Sequence, residues 1–213
     1  MASELARDRW HPPVIEGRLV TLRRHVPENL AAVVRWYRDP ELARLSRYQT
    51  RPMPFEEIEH FFRTRLLADD AFAYAIHQRP SGRLVGLTTF SNLDPDNGTA
   101  LFHITIGEPD AQDRGLGTET TELMIGHAFD VLGLHRVGLS VFEFNARAIR
   151  AYEKAGFRID GRLREAIWRD GRYWDEVQMG ILADEWRARQ AERAAAASPV
   201  AEERAVPEAE LVP

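Results

Sequence analysis

The sequence predicts an α/β fold: a mixed, mostly antiparallel sheet with one central β-α-β crossover and helices on both faces. Three observations carry this. Strand-like runs at 71–78, 83–92 and 98–106 follow one another, and D-P-D-N-G at 94–98 supplies Asn-Gly turn chemistry between the last two, so they form an antiparallel meander. The pattern then switches to a helix over 117–132, a strand at 136–144 and a short helix at 145–154, which returns the chain parallel to the meander. Two late strands, 157–168 and 173–181, flank the turn R-D-G-R at 169–172.

The remaining elements follow from periodicity. Residues 18–24 (RLVTLRR) alternate and form a first strand. Pro27-Glu28-Asn29 opens a helix that runs to about Tyr37, with Leu30, Val33, Val34 and Tyr37 on one face. A second helix starts near Pro54 and carries Phe55, Ile58, Phe61, Phe62 and Leu66 as its apolar stripe. Gly156 closes the helix that begins at Asn145. The domain spans residues 13–186, preceded by an arm at 1–12. After it, residues 187–213 read as a helical extension to about Ala197 and then an acidic, disordered tail, with Pro199, Pro207 and Pro213 and few large apolar side chains.

Composition narrows the function. With 213 residues, 44% hydrophobic and 29% charged, the chain is a soluble globular protein, expected in the cytoplasm. The absence of cysteine excludes disulfides, thiolate metal sites and a cysteine nucleophile. The seven histidines have no ligand spacing, so no metal is expected. Neither a membrane-length apolar run nor a signal-peptide core is present. The net charge is −5, of which residues 191–213 carry −3, leaving no basic field for nucleic acid. Lys154 is the only lysine.

Chemistry concentrates in two segments. Gln112-Asp113-Arg114-Gly115-Leu116-Gly117-Thr118 lies between a strand and a helix. Its glycines and the helix start collect free backbone N–H groups at one point, a seat for a pyrophosphate; Arg114 adds a charge and Thr118 a hydroxyl. An ordinary glycine turn is the competing reading. A P-loop is excluded because no lysine follows the glycines, and a dinucleotide fingerprint fails at its third glycine, where Thr120 stands. The second segment, Asn145 to Phe157, places Asn145 and Tyr152 two turns apart on one helical face, roughly 10 Å along the axis.

These segments, Q-x-x-G-x-G at 112–117 and N-A-R-A-I-R-A-Y-E-K-A-G-F at 145–157, together with GRLREAIWRDGRYWDEVQMGIL at 161–182, resemble the GCN5-related N-acetyltransferase (GNAT) superfamily. The nearest-looking branch holds the RimJ/RimL-type protein N-acetyltransferases and the spermidine acetyltransferases. The resemblance implies that Gln112 through Thr118 grip the pyrophosphate of acetyl-CoA. It implies that backbone groups of Ile104, Thr105 and Ile106 bind the pantetheine on a splayed strand. Asn145 then contacts CoA, with Lys154 beside it, and Tyr152 protonates the departing thiolate. The acetyl group passes directly to an amine acceptor, and exposed sheet edges favour a homodimer.

The general base stays open. Relatives often carry a glutamate on the strand around 100–103, and Leu101 stands at that position here; His103, Glu108 or a water chain are the substitutes. Glu56, Glu57 and Glu59 either receive a cationic amine or form a solvated helix start. Trp168, Tyr173 and Trp174 line an acceptor pocket or a dimer surface, with core packing as the default. The missing glutamate also leaves room for a catalytically silent CoA-binding sensor or assembly module.

Overall fold

The computed structural model describes residues 12–69 and 71–197. The arm and the tail expected at the two ends lie almost wholly outside these residues. Among the described residues the chain forms one eight-stranded sheet. Strands β1 (Val14–Glu16), β2 (Val20–Arg24), β3 (Ala73–Gln78), β4 (Arg83–Asp94) and β5 (Thr99–Ile106) are laid down in that order, followed by β6 (Arg136–Phe142), β8 (Arg172–Leu182) and, at the far edge, β7 (Arg158–Arg169). Among the described residues only β5 and β6 pair in parallel. The expected fold class holds.

Helices cover both faces. On one lie α1 (Leu30–Arg38), α2 (Pro40–Ser46) and α3 (Phe55–Phe61), the last extended by a π turn over Phe62–Leu66. On the other lie α4 (Leu116–Gly126), itself extended by a π turn over His127–Val131, and α5 (Ala146–Ala155) and α6 (Ala183–Ala197). Val33, Ile58, Phe62 and Leu66 pack on Leu87 under α1 and α3, while Met124, Ile125, Val137, Met179 and Trp186 build the larger core under α4 and α6. Each such large side chain, once buried, stabilises the fold by about 1.5–3 kcal/mol.

Three departures from the sequence reading have local causes. Helix α2 stands where no element was expected. The carboxylate of Asp39 accepts the Leu42 N–H at 2.8 Å, and Pro40 holds Asp39 extended, ending α1 and starting a new helix within two residues. The strand expected to reach residue 144 stops at Phe142, because the chain turns back there: the Asn145 N–H donates to the Phe142 carbonyl at 2.8 Å. The C-terminal helix begins at Ala183, inside the expected domain body.

Two features position the site. Past the register pair Leu101–Gly138, β5 and β6 diverge: β5 continues to Ile106 against β4, and β6 continues to Phe142 against β8. A wedge opens in mid-sheet. Helix α4 is tied down beside it by Glu119, whose carboxylate accepts the N–H groups of Arg18, Leu19 and Val20 at 3.0, 2.6 and 2.8 Å.

Candidate active site

One cavity of about 1080 Å³ runs through this wedge. Strand alternation shows that it opens on both faces. Val137, Leu139 and Val141 of β6 point into the α4–α5 core, so Ser140 and Phe142 face the opposite side, and all but Val137 contribute to the cavity wall. His103 and Ser91 lie on the α1–α3 side of β5 and β4; Tyr152 and Arg147 reach the cavity from α5 on the other.

At the α4 end the loop conformation concentrates donors. Gly115 precedes the helix in the left-handed region at φ +79°, where a side chain would be strained, and Asp113 is left-handed as well at φ +57°. Such turning backbone before a helix N-terminus exposes N–H groups to one concavity, which suits an anion. Gln112, Asp113, Gly115, Gly117 and Thr118 line the cavity. The side chains of Arg114 and Leu116 do not: Arg114 is exposed, and Leu116 is 3% exposed within the core.

Arg147 is central to this end, and the sequence reading passed over it. Its guanidinium donates to the Gln112 side-chain oxygen at 2.5 Å and lies 3.5 Å from the Asp113 carboxylate, while the Gln112 amide donates to the Ile106 carbonyl at 3.1 Å. Loop, strand and helix are thereby locked together. Arg147, Arg150 and Lys154 recur at helical spacing along α5 and all line the cavity, a cationic stripe legible in N-A-R-A-I-R-A-Y-E-K. Asn145 is the N-cap of α5: its oxygen accepts the Ala148 N–H at 3.2 Å and its amide donates to the Leu45 carbonyl at 3.3 Å. Both polar ends of that side chain therefore have protein partners.

In the middle of the cavity Tyr152 sits edge-on to Phe102 at 6.4 Å and against Phe157 at 5.9 Å. Burial raises its pKa to about 12. Among the described residues its hydroxyl has no hydrogen-bond partner. Ile104, Thr105 and Ile106 form the facing wall along the unpaired edge of β5.

Across the sheet, His103 opens to the cavity and its Nε2 lies 2.7 Å from the Ser91 hydroxyl; the surrounding walls lower its pKa, favouring the neutral ring. Leu101, at the position where a glutamate was sought, is an exposed side chain on the same face. Glu108 is turned out of the cavity, its carboxylate accepting from the Trp36 indole at 2.9 Å and from Arg35 at 3.0 Å. Glu56, Glu57 and Glu59 are outside it too, in the first turns of α3, with Glu57 and Glu59 paired to Arg51 and Arg63. Core packing, the default expectation for Trp168 and Tyr173 beside an acceptor pocket or a dimer surface, does not hold: they are 56% and 58% exposed on the β7–β8 hairpin, edge-on to each other at 4.8 Å.

One acidic group in the cavity was missed. Glu176 on β8 is 4% exposed and opposes Phe142, so it faces the α1–α3 side; its carboxylate accepts the Tyr48 hydroxyl at 2.5 Å. Burial first, and then this carboxylate, push the Tyr48 pKa up to about 12. The signal was there: apolar Val177, Met179 and Ile181 point to the core, so Glu176 must point away from it.

The sequence profile of the acetyltransferase (GNAT) domain matches residues 19–158, a stretch that includes the whole wedge. The chain belongs to the GNAT acetyltransferase family. Among relatives, it is 26% identical over 170 residues to a prophage-derived N-acetyltransferase, YokL, of Bacillus subtilis, covering 80% of this chain and 93% of that one. It is 28% identical over 132 residues to the spermidine N(1)-acetyltransferase of Vibrio cholerae, covering 62% of this chain and 75% of that one. A crystal structure of the Vibrio cholerae spermidine N-acetyltransferase with CoA and spermine superimposes with a TM-score of 0.72 at 23% identity, over 80% of this chain and 99% of that one, a likeness of fold. A GCN5-related N-acetyltransferase from Brucella melitensis superimposes at 0.67 with 27% identity, over 85% of this chain and 84% of that one. Among the described residues of this GNAT protein, no helix is long and apolar enough to cross a membrane.

Proposed function

We propose that this GNAT protein moves the acetyl group of acetyl-CoA directly onto a primary amine within a ternary complex. The observation that carries the reading is the cavity through the sheet, which joins an anion-binding loop and a cationic helix stripe on one face to a neutral histidine on the other. A thioester threaded through the wedge presents its carbonyl to an amine arriving from the opposite side.

In this reading the pyrophosphate sits on the N–H groups of residues 113–118, with Arg147 as its nearest charge. Arg150 and Lys154 face the outer phosphate. The pantetheine runs along Ile104–Ile106, whose edge has no strand beyond it. Asn145 holds the start of α5, and through Leu45 the end of α2, in register with the loop.

The acceptor must arrive as a free amine, since an ammonium has no lone pair. His103, held neutral, takes that proton directly or through water, and Ser91 orients the ring. The amine nitrogen then bonds to the thioester carbon, and backbone N–H groups on the open edge of β5 stabilise the oxyanion. Once His103 has passed the first proton on to solvent, the nitrogen sheds its second proton by the same route; collapse breaks the C–S bond, and the sulfur takes the Tyr152 hydroxyl proton, leaving amide and free CoA thiol. Tyr152 regains its proton from solvent. Nothing in this route needs an acyl-enzyme, consistent with a chain that has no cysteine.

The class of acceptor ranges over protein N-terminal amines, polyamines, amino sugars and amine antibiotics. Isothermal titration with acetyl-CoA, with NADH as control ligand, followed by an amine panel, tests the proposal. Micromolar binding of acetyl-CoA alone and turnover on an amine support it. Binding without turnover on any amine returns the chain to a CoA-binding module, and no binding removes the reading altogether.

A further inference from the structure

The part of the cavity on the α1–α3 face holds an uneven set of charges. Its charged wall residues are Arg47, Arg65 and Glu176; the rest is neutral or aromatic, with Tyr37 and Phe61 in ring contact at 5.2 Å. Arg47 follows the last turn of α2 and is half-buried; among the described residues its guanidinium makes one hydrogen bond, to the Arg51 carbonyl at 3.5 Å, the weak limit of such contacts. Arg65, on the π turn after α3, reaches the same cavity. Among the described residues, neither arginine has a carboxylate partner. Their neighbours do: Arg51 pairs with Glu57, Arg63 with Glu59 and Arg44 with Glu41.

Desolvation lowers the pKa of Arg47, the mark of a cation held among protein atoms without a counter-charge. The segment that carries it is fixed: Arg169 of the β7–β8 hairpin donates to the backbone carbonyls of Arg47 and Tyr48 at 2.6 and 2.8 Å. Glu176 stands alone as the acidic group, one of its oxygens already capped by Tyr48, which leaves room for one ammonium. Two guanidinium groups without a carboxylate partner among the described residues, half-buried Arg47 and exposed Arg65, and one half-capped carboxylate match a ligand with one positive and one negative end.

We propose that the acceptor is a small molecule carrying both a primary amine and a carboxylate, an α-amino acid or short peptide, with its carboxylate on Arg47 and Arg65 and its amine guided by Glu176. A polyamine, positive along its whole length, would meet the two arginines with like charge and find a single carboxylate. This inference rests on the acetyl-transfer reading and sets the chain apart from its spermidine-acetylating relatives.

The test measures kcat/KM for a panel of amino acids and dipeptides, for the same compounds as C-terminal amides, and for spermidine. Titration of each compound into the CoA-loaded protein runs in parallel, so that a silent reaction still yields an answer. A preference of at least tenfold for the carboxylate over its amide is expected, in turnover or in binding, with spermidine below both. Arg47→Gln and Arg65→Gln should collapse that preference toward one while leaving acetyl-CoA affinity and melting temperature within error. Spermidine outperforming every carboxylated amine, no carboxylated amine binding the CoA complex, or a preference untouched by both variants, would overturn the proposal. Failure of acetyl-CoA itself to bind would instead remove the acetyl-transfer reading.

Discussion

Tyr152→Phe separates chemistry from architecture at the centre of the cavity. The ring contacts with Phe102 at 6.4 Å and Phe157 at 5.9 Å survive the change, and the lost hydroxyl has no hydrogen-bond partner among the described residues. Stability should therefore move by less than about 0.5 kcal/mol, as for a substitution that strands no polar group. The rate should not be spared. A positioned general acid typically contributes roughly 10²–10⁴-fold, or about 3–5 kcal/mol at 1.36 kcal/mol per tenfold. With its pKa raised by burial to about 12, the Tyr152 phenol stays protonated throughout the neutral and mildly alkaline range. The pH profile of the wild type should therefore rise with ionisation of the acceptor ammonium and show no fall attributable to Tyr152 below about pH 11. Single-turnover acetyl transfer from a preloaded acetyl-CoA complex is the appropriate assay, because slow product release can hide a chemical defect. Acetyl-CoA affinity, measured by titration, should change less than about twofold. A single-turnover rate within threefold of wild type would refute the acid role, and a collapse of CoA binding would make the tyrosine a packing residue.

The remaining predictions test other parts of the same construction. Arg147→Ala removes the cation that joins Gln112 and Asp113, so acetyl-CoA should bind roughly 10–100-fold more weakly by titration, with the melting temperature little changed. Glu119→Ala leaves three backbone N–H groups at the β1–β2 turn without their acceptor and should destabilise the protein by about 2–4 kcal/mol in urea unfolding. Gly86→Ala drives a Cβ into the Thr105 carbonyl oxygen, directly behind the cavity wall; β4 and β5 must part there, so acetyl-CoA binding should fall along with stability. Buried His25, packed edge-on to Phe62 at 5.8 Å, has its pKa lowered by desolvation to about 4 from 6.5. The unfolded chain binds that proton first, so the contribution is whole above about pH 6.5 and is lost as pH falls toward 4, up to about 3 kcal/mol. Urea midpoints between pH 4 and 7 should decline more steeply for wild type than for His25→Leu.

How far the sequence could be read depended on the range of the interaction involved. The loop at 112–118 and the helix at 145–155 are local constructions, where glycines at 115 and 156 and an asparagine cap announce themselves, and both stand where expected. Helix α2 was also local, yet Asp39-Pro40 reads equally well as a turn, and seven residues give too short a period to decide. What escaped was side-chain direction across sequence distance. Glu108 has the composition of a base, but Trp36 and Arg35, some seventy residues upstream, turn its carboxylate outward. Glu176 carries no motif, although alternation alone sets it against the α1–α3 face, and the segment carrying Tyr48 closes the space around it. The same logic explains why the donor end of the reaction is so much more legible than the acceptor end. In the proposed reading, CoA phosphates rest on contiguous backbone and one helix stripe, which leave a motif. The acceptor site proposed above draws on single side chains, Arg47, Arg65, His103 and Glu176, far apart in sequence, a pattern that becomes visible only when the sheet brings them to one cavity.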